Sequence, residues 1–365
     1  MTDLYFLVLA AINLFALTFM CVLVNLNDTL NPKQTRGFLY TFLLIAVISE
    51  IELITVLVDG GPPWMRSINI ITNYLGFSLT PAVPLVMVYT LDRTGKISNS
   101  LKVAIALEVV YILIMTISLF TGGLVFAVDA ENHYVRLSGF SVYMLMYYAG
   151  IVFLMYHMLE MARNFQNRGR QLVYALAMFL AIGTLVQIKL PGIHVTWLCV
   201  TILSILYYVY CNEMWNQLDG LTGLLSQKNY LNRTLNLREE DRMLIVLDLD
   251  DFKHINDTYG HLAGDRCLRE IAQCLKDAYS RYGNCYRIGG DEFCVLLWNP
   301  EKEAFCREKF YWNLTKQRVK TSILPNVAYG SALLNEYESI RDTMARADQK
   351  MYQNKKEHKA EKNLI

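Results

Sequence analysis

The sequence predicts two parts of different class: an all-α transmembrane bundle of about seven helices over residues 1–211, and an α+β domain over 219–359. Three observations lead there. Hydrophobic residues make up 54% of the 365 and charged residues 18%, against the roughly 25% charged of an ordinary soluble domain. The apolar runs are confined to the first part, and each approaches the roughly 20 residues that a hydrocarbon core requires. Beyond Asp219 the pattern changes to short β-like runs alternating with amphipathic helices. The net charge of +1 supplies no field that would draw the chain to nucleic acid.

The spans are read at 4–25, 38–58, 70–91, 101–121, 140–162, 171–188 and 193–211. The first is not read as a cleaved leader, because Met1-Thr2-Asp3 carries no basic residue and no small-residue cleavage site follows. Basic loop residues set the orientation. With the N-terminus outside, the inner loops hold Lys33, Arg36, Arg93, Lys96, Lys102, Arg163, Arg168 and Arg170, and the outer loops only Arg66, Arg136 and Lys189. An odd number of spans then leaves the C-terminal domain in the cytoplasm.

Asn13, Glu50, Glu52, Asn73, Glu108, His157 and Gln187 fall at membrane depth and are expected to face the bundle, as polar links between helices or as a ligand or proton site. Glu50 and Glu52 lie about 200° apart around a helix and cannot share one face. Pro81 and Pro84 predict a kink in the third span, and the outer loop Asp129–Tyr134 is placed to close a cavity there. The cysteines, Cys21, Cys199, Cys211, Cys267, Cys274, Cys285, Cys294 and Cys306, come with no CxxC pair and no His cluster, and read as reduced thiols. Residues 212–218 form a short helical connector. In and beside it, Tyr207, Tyr210, Met214 and Leu218 suit either a seam across a dimer or an interfacial aromatic belt.

In the second part, Met243-Leu244-Ile245-Val246-Leu247-Asp248-Leu249-Asp250 is a buried strand ending in carboxylates. Gly260-His261-Leu262-Ala263-Gly264-Asp265 opens a helix with Leu268, Ile271, Ala272 and Leu275 on one stripe. Two strands, Asn284 to Ile288 and Phe293 to Trp298, meet at Gly289-Gly290, a hairpin signal attributed to the tolerance of glycine for positive φ. Asp291 and Glu292 follow directly. A strand, Asn326 to Leu334, and a helix with Ile340, Met344, Ala347 and Met351 complete the βαββαβ order of a ferredoxin-like sheet. Asp248 at a strand end beside Asp291 on a hairpin offers the hard oxygen ligands that suit Mg²⁺.

These residues resemble the GGDEF family of diguanylate cyclases over 219–359. Asp219-Gly220-Leu221-Thr222-Gly223-Leu224 is similar to the family's opening D-x-L-T-G-L. The run Asp248 to Asp257 fits D-x-D-x-F-K-x-I-N-D, and Gly260-His261 with Gly264-Asp265 fits G-H-x-x-G-D. Arg287 to Phe293 carries the unaltered signature, and Ala347-Asp348, Tyr352 and Lys355 fit the closing A-D-x-x-x-Y-x-x-K.

The resemblance implies that two GTP are joined into cyclic di-GMP with release of two pyrophosphates. Asp248, Asp291 and the Leu249 carbonyl would ligate Mg²⁺, with Mn²⁺ as an alternative. Glu292 would be the catalytic base for the ribose 3′-hydroxyl, and Asn256 and Asp265 would read guanine. Lys253, Lys355 and Lys359 would hold phosphates, with Gly289 and Gly290 at the substrate. It further implies a C2 homodimer through this domain and the bundle, in a bacterial cytoplasmic membrane, gated by an unidentified sensor ligand.

Three positions depart from the family pattern. An R-x-x-D inhibitory site would fall at Ser280 and Gly283, so none is expected, and Arg281 is offset by one. Ser226-Gln227 replaces N-R in the opening helix. Lys359 replaces an arginine and loses its bidentate fork. The competing reading is a catalytically silent domain that binds GTP or a partner as a receptor.

Overall fold

The computed structural model describes residues 2–91, 97–163, 173–176, 178–179, 182, 196–237, 241–335 and 338–363. It divides into two compact units, Met1–Glu213 and Met214–Ile365.

In the first unit, six helical stretches among the described residues are long and apolar enough to cross a membrane: Leu4–Asn25, Pro32–Val58, Pro63–Leu91, Asn99–Phe120, Phe140–Met161 and Thr196–Asn216. The expected span at 171–188, with Gln187, falls mostly outside the described residues. Helix Pro32–Val58 starts cleanly because Asn31 and Gln34 form a reciprocal capping box ahead of Pro32. The third stretch is interrupted where the prolines predict it. One helix, Arg66–Leu79, ends and another, Ala82–Leu91, begins on either side of Pro81, whose ring cannot continue the hydrogen-bond ladder. Asn13, Asn73 and Glu108 are buried, whereas Glu50, Glu52 and His157 are half-buried.

Two expectations need correction here. The segment around Asp129, expected as an outer loop, is the turn of a hairpin: Phe126–Val128 and Tyr134–Arg136 pair antiparallel. Asn132, at φ 68°, turns it, and its amide donates to the carbonyls of Val58 at 2.6 Å and Gly61 at 3.2 Å. Arg66 donates to the carbonyls of Val128 and Asp129, so the hairpin is fastened to the ends of two membrane helices. The second concerns Tyr207 and Tyr210, expected at a dimer seam or an interfacial aromatic belt, which the chain packs within itself. Both are buried, and the Tyr207 hydroxyl donates to the Met87 carbonyl at 2.7 Å within the same bundle.

In the second unit, the four strands form one antiparallel sheet. Numbered from the membrane-half hairpin (β1 and β2), they are β3 (Met243–Leu249), β4 (Gly283–Arg287), β5 (Glu292–Leu297) and β6 (Val327–Leu333), in the order β4-β5-β3-β6. The chain runs from β3 through helices Phe252–Tyr259 and His261–Tyr279 to β4 and β5, then through helix Glu303–Lys320 to β6 and the last helix, Ile340–Asn363.

Side chains alternate across the sheet. Ile245, Leu247 and Leu249, with Phe293, Val295 and Leu297, join Leu268, Ile271, Leu275, Phe310 and Leu314 in the main core. The opposite face carries Val246 beside Cys294 and Gly330 and meets the last helix. That helix lies so close that a Cβ at Gly330 would collide with the Ala347 carbonyl and the Met351 amide. Asp248 is in phase with Val246, so the period of two aims it toward the last helix.

Gly330→Ala is therefore expected to destabilise the second unit by about 2 kcal/mol through overpacking and to displace Lys355 from Asp248. Chemical unfolding followed by the fluorescence of the domain tests this; an unchanged midpoint contradicts it.

Candidate functional site

The site is built where β3 ends. Asp248 stands directly opposite Glu292 of β5 in the strand register, so two acids occupy a cross-strand pair, where like charges repel. The hairpin brings Asp291 alongside, with the Leu249 amide donating to the Asp291 carbonyl at 3.3 Å. The last helix supplies Lys355, whose Nζ lies 2.5 Å from Asp248 Oδ1.

Neither Gly289 nor Gly290 adopts positive φ, so the reason first given for the glycine pair does not hold. At Gly289 a Cβ would lie 2.9 Å from Glu292 Oε2, the movable end of that side chain. Gly290 is exposed and open, and its carbonyl accepts from Arg287 at 2.8 Å.

The electrostatics follow from this crowding. Burial and the nearby Asp248 push the Asp291 carboxyl above its ordinary range. Burial, then Asp248, Asp291 and Asp348, do the same to Glu292, and burial raises Asp348. For Lys355, burial works downward, but the contact with Asp248 and the fields of Asp250 and Asp291 outweigh it and raise the ammonium. The arrangement favours added positive charge.

Among the described residues no group of three or more His, Cys, Asp or Glu side chains is arranged to hold a metal unaided. Two carboxylates and a carbonyl nevertheless fit Mg²⁺, which keeps several waters and takes its remaining ligands from substrate phosphates.

The other expected residues divide in two. Asn256, from helix Phe252–Tyr259, and Asp265, from helix His261–Tyr279, are brought together: Asn256 Oδ1 lies against Gly264, where a Cβ would collide with it. Asp265 is half-exposed, and Arg269 approaches it at 3.9 Å. Lys253 and Lys359 stand exposed on their helices.

Sequence reasoning missed several supports. His358 Nδ1 lies 2.6 Å from Oδ2 of the buried Asp250, clamping the last helix to the end of β3. Its spacing of three from Lys355, one helical turn, was the available signal. Asp219 accepts from the Thr222 hydroxyl at 2.6 Å and from Arg287 at 3.1 Å. Burial opposes its ionisation, but Thr222 and Arg287 hold its carboxyl below the usual range. The opening motif thereby braces the hairpin. Ser226 caps helix Gln227–Leu235 by accepting from the Asn229 amide, far in role from the acids.

Residues 216–361 match the family described as "Diguanylate cyclase, GGDEF domain". The chain is 32% identical over 155 residues to the probable diguanylate cyclase DgcI of Escherichia coli, a match covering 41% of this chain and 34% of that protein. The diguanylate cyclase DgcZ of Escherichia coli is 30% identical over 158 residues, covering 41% and 53%. An uncharacterized membrane protein of Staphylococcus saprophyticus is 32% identical over 164 residues, covering 40% and 45%. The chain thus spans between about a third and about half the length of these curated relatives. The solved GGDEF domain of DgcB from Caulobacter crescentus, in complex with c-di-GMP, is 29% identical, covering 38% of this chain and 90% of that one, with a TM-score of 0.32.

Because the folded-state pKa of Asp291 lies above its unfolded value, its charge opposes folding at neutral pH, and this cost fades as pH falls through the raised pKa. Asp291→Asn is therefore expected to raise the unfolding temperature of the metal-free protein at neutral pH, with the gain shrinking under mild acid. Thermal unfolding with and without Mg²⁺ measures this; a lowered unfolding temperature at neutral pH contradicts it.

Proposed function

Residues 216–361 being a GGDEF domain, we propose that this chain is a membrane-bound, signal-gated diguanylate cyclase, converting two GTP into cyclic di-GMP and two pyrophosphates as a homodimer. The observation that carries the reading is the opposition of Asp248 and Glu292 across neighbouring strands, with Asp291 beside them. A fold gains nothing from three crowded acids; a site for a metal-bound triphosphate needs them.

In this reading Asp248, Asp291 and the Leu249 carbonyl hold Mg²⁺ (Mn²⁺ in its place is acceptable to the same oxygens). Bound there, the ion offsets the negative charge of the substrate phosphates. Glu292 accepts the proton of the ribose 3′-hydroxyl, and its raised pKa brings its basicity closer to that of a useful general base. The 3′-oxygen forms its bond to the α-phosphorus of the facing GTP while the bond from that phosphorus to pyrophosphate breaks.

Asn256 and Asp265 bind the guanine edge; a carboxylate accepting two N–H groups would be left unpaired by adenine, which enforces the choice of base. Lys253, Lys355 and Lys359 hold phosphates, and Lys355 leaves or shares Asp248 as substrate enters. Gly289 and Gly290 let the hairpin backbone approach the nucleotide. One domain holds one GTP and the product has twofold symmetry, so two domains face each other as a C2 pair. In this reading the chemistry lies at a bacterial cytoplasmic membrane, N-terminus outside and cyclase inside, and an unidentified ligand of the bundle governs how often the two domains meet.

Full-length protein in nanodiscs, given GTP and Mg²⁺, is expected to form cyclic di-GMP, identified by mass spectrometry. Glu292→Gln should lower the rate by about 10²- to 10⁴-fold while GTP binding persists. With Ser280 and Gly283 in place of an inhibitory pair, micromolar product added at the start should leave the initial rate unchanged. GTP binding without product, in the full chain and in an artificially dimerised 212–365 fragment alike, would replace this reading with that of a silent receptor.

A further inference from the structure

The helix Glu303–Lys320 presents a surface that the cyclase chemistry does not use. Its inner face is committed. Cys306, Phe310 and Leu314 are fully buried, the Tyr329 hydroxyl donates to Glu303 at 2.5 Å, and Arg318 donates to the Pro325 carbonyl and to Asn326. On the outer face, Phe305, Trp312 and Val319 follow one another at intervals of seven and are 54%, 58% and 87% exposed. Successive positions at that interval drift by only about 20° around a helix, so the three form one apolar stripe. Lys309 and Lys316 run beside it at the same interval, both exposed. Lys316 Nζ sits 3.5 Å from the centre of the Trp312 ring. Lys320 follows and Glu308 is the one acid among the exposed charges of this face.

Next to the stripe is a cavity of about 320 Å³ between this helix and His261–Tyr279, into which Lys316, Lys320 and Arg269 reach together with Glu270 and Asp277. Glu270 Oε1 accepts from Arg266 at 2.8 Å and from Thr321 at 3.2 Å while its Oε2 is buried without a hydrogen bond, and Asp277 accepts from Gln273 at 2.7 Å. Lys316 and Lys320 are exposed cations with capacity for a further anion, and Arg269, exposed and 3.9 Å from Asp265, is the third cation at this edge.

We infer that this face docks on the anionic surface of the bilayer, with Phe305, Trp312 and Val319 entering the headgroup–acyl boundary and Lys316, Lys320 and Arg269 receiving a lipid phosphate. Trp and Phe over lysines are the residues that interfacial helices use, and clustered lysines are attracted to anionic lipid within a Debye length. A membrane is also the partner the chain itself supplies. Its last apolar helix ends at Asn216 and the family match begins at 216, so the domain is tethered beside lipid and a weak attraction acts at high effective concentration.

The test uses the full chain in nanodiscs of phosphatidylcholine alone or mixed with phosphatidylglycerol, with and without brominated acyl chains, which quench nearby tryptophan. The emission of Trp312 is the difference between wild type and Trp312→Phe, which removes the signals of the membrane-half tryptophans. In brominated anionic discs that emission should fall to roughly half or less, as expected of an indole at the interface. It should recover in a Lys309→Glu/Lys316→Glu/Lys320→Glu variant, in high salt, and in phosphatidylcholine discs. Emission unaffected by bromination overturns the inference. So does quenching that survives charge reversal and high salt. If Trp312→Phe converts a dimer to a monomer without any quenching in the wild type, the face is an interface between copies and the inference is likewise overturned.

Discussion

The end of β3 gathers more negative charge than the fold can hold without help. Asp248 and Glu292 come from two neighbouring strands and Asp291 from the hairpin beside them, with Asp348 close enough to raise Glu292. Burial weakens the water that would screen them, so Asp248 makes Asp291 harder to ionise, and both make Glu292 harder to ionise. Lys355 offsets part of this at 2.5 Å from Asp248, and the rest of the architecture serves to keep the acids in place. Gly330 lets the last helix approach closely enough to deliver Lys355. His358 locks that helix to Asp250. Arg287, held by Asp219, grips the Gly290 carbonyl and fixes the hairpin that carries Asp291 and Glu292. The raised carboxyls make the site unfavourable for stability at neutral pH, a cost that protonation or an added cation reduces.

The two units solve different solvation problems with related devices. The bundle satisfies its backbone with helices and hides Asn13, Asn73 and Glu108 from lipid. At its hairpin end, Asn132 donates to the Val58 and Gly61 carbonyls and Arg66 to those of Val128 and Asp129. The second unit pairs buried acids, Asp241 with Arg233 and Asp250 with His358, and uses sheet alternation to separate an apolar core from a charged face.

Much of this was legible in the sequence because it depends on local periodicity. Apolar runs of near-membrane length gave five of the helical stretches directly, and Pro81 marked the break in the third. Alternation and the Gly-Gly hairpin located all four strands of the second unit to within a residue or two. What the sequence could not show was pairing across distance. That Lys355 lies on Asp248, 107 positions earlier in the chain, follows from the last helix packing on the strand face in phase with Val246, not from any motif. The glycine pair was misread as well: glycine in a turn suggests positive φ, and neither Gly289 nor Gly290 adopts it. The hairpin at Phe126–Arg136 went unseen because two three-residue strands have no measurable period.

The central claim is that the crowded carboxylates form a divalent-cation-dependent GTP site. The most direct measurement is the binding of a non-reacting GTP analogue to the full-length protein across a Mg²⁺ titration, for wild type and Asp248→Asn. The charge arrangement predicts tight binding only with Mg²⁺, and a loss of that dependence in the variant. Binding of equal strength without the metal, or unaltered Mg²⁺ dependence in Asp248→Asn, would contradict it.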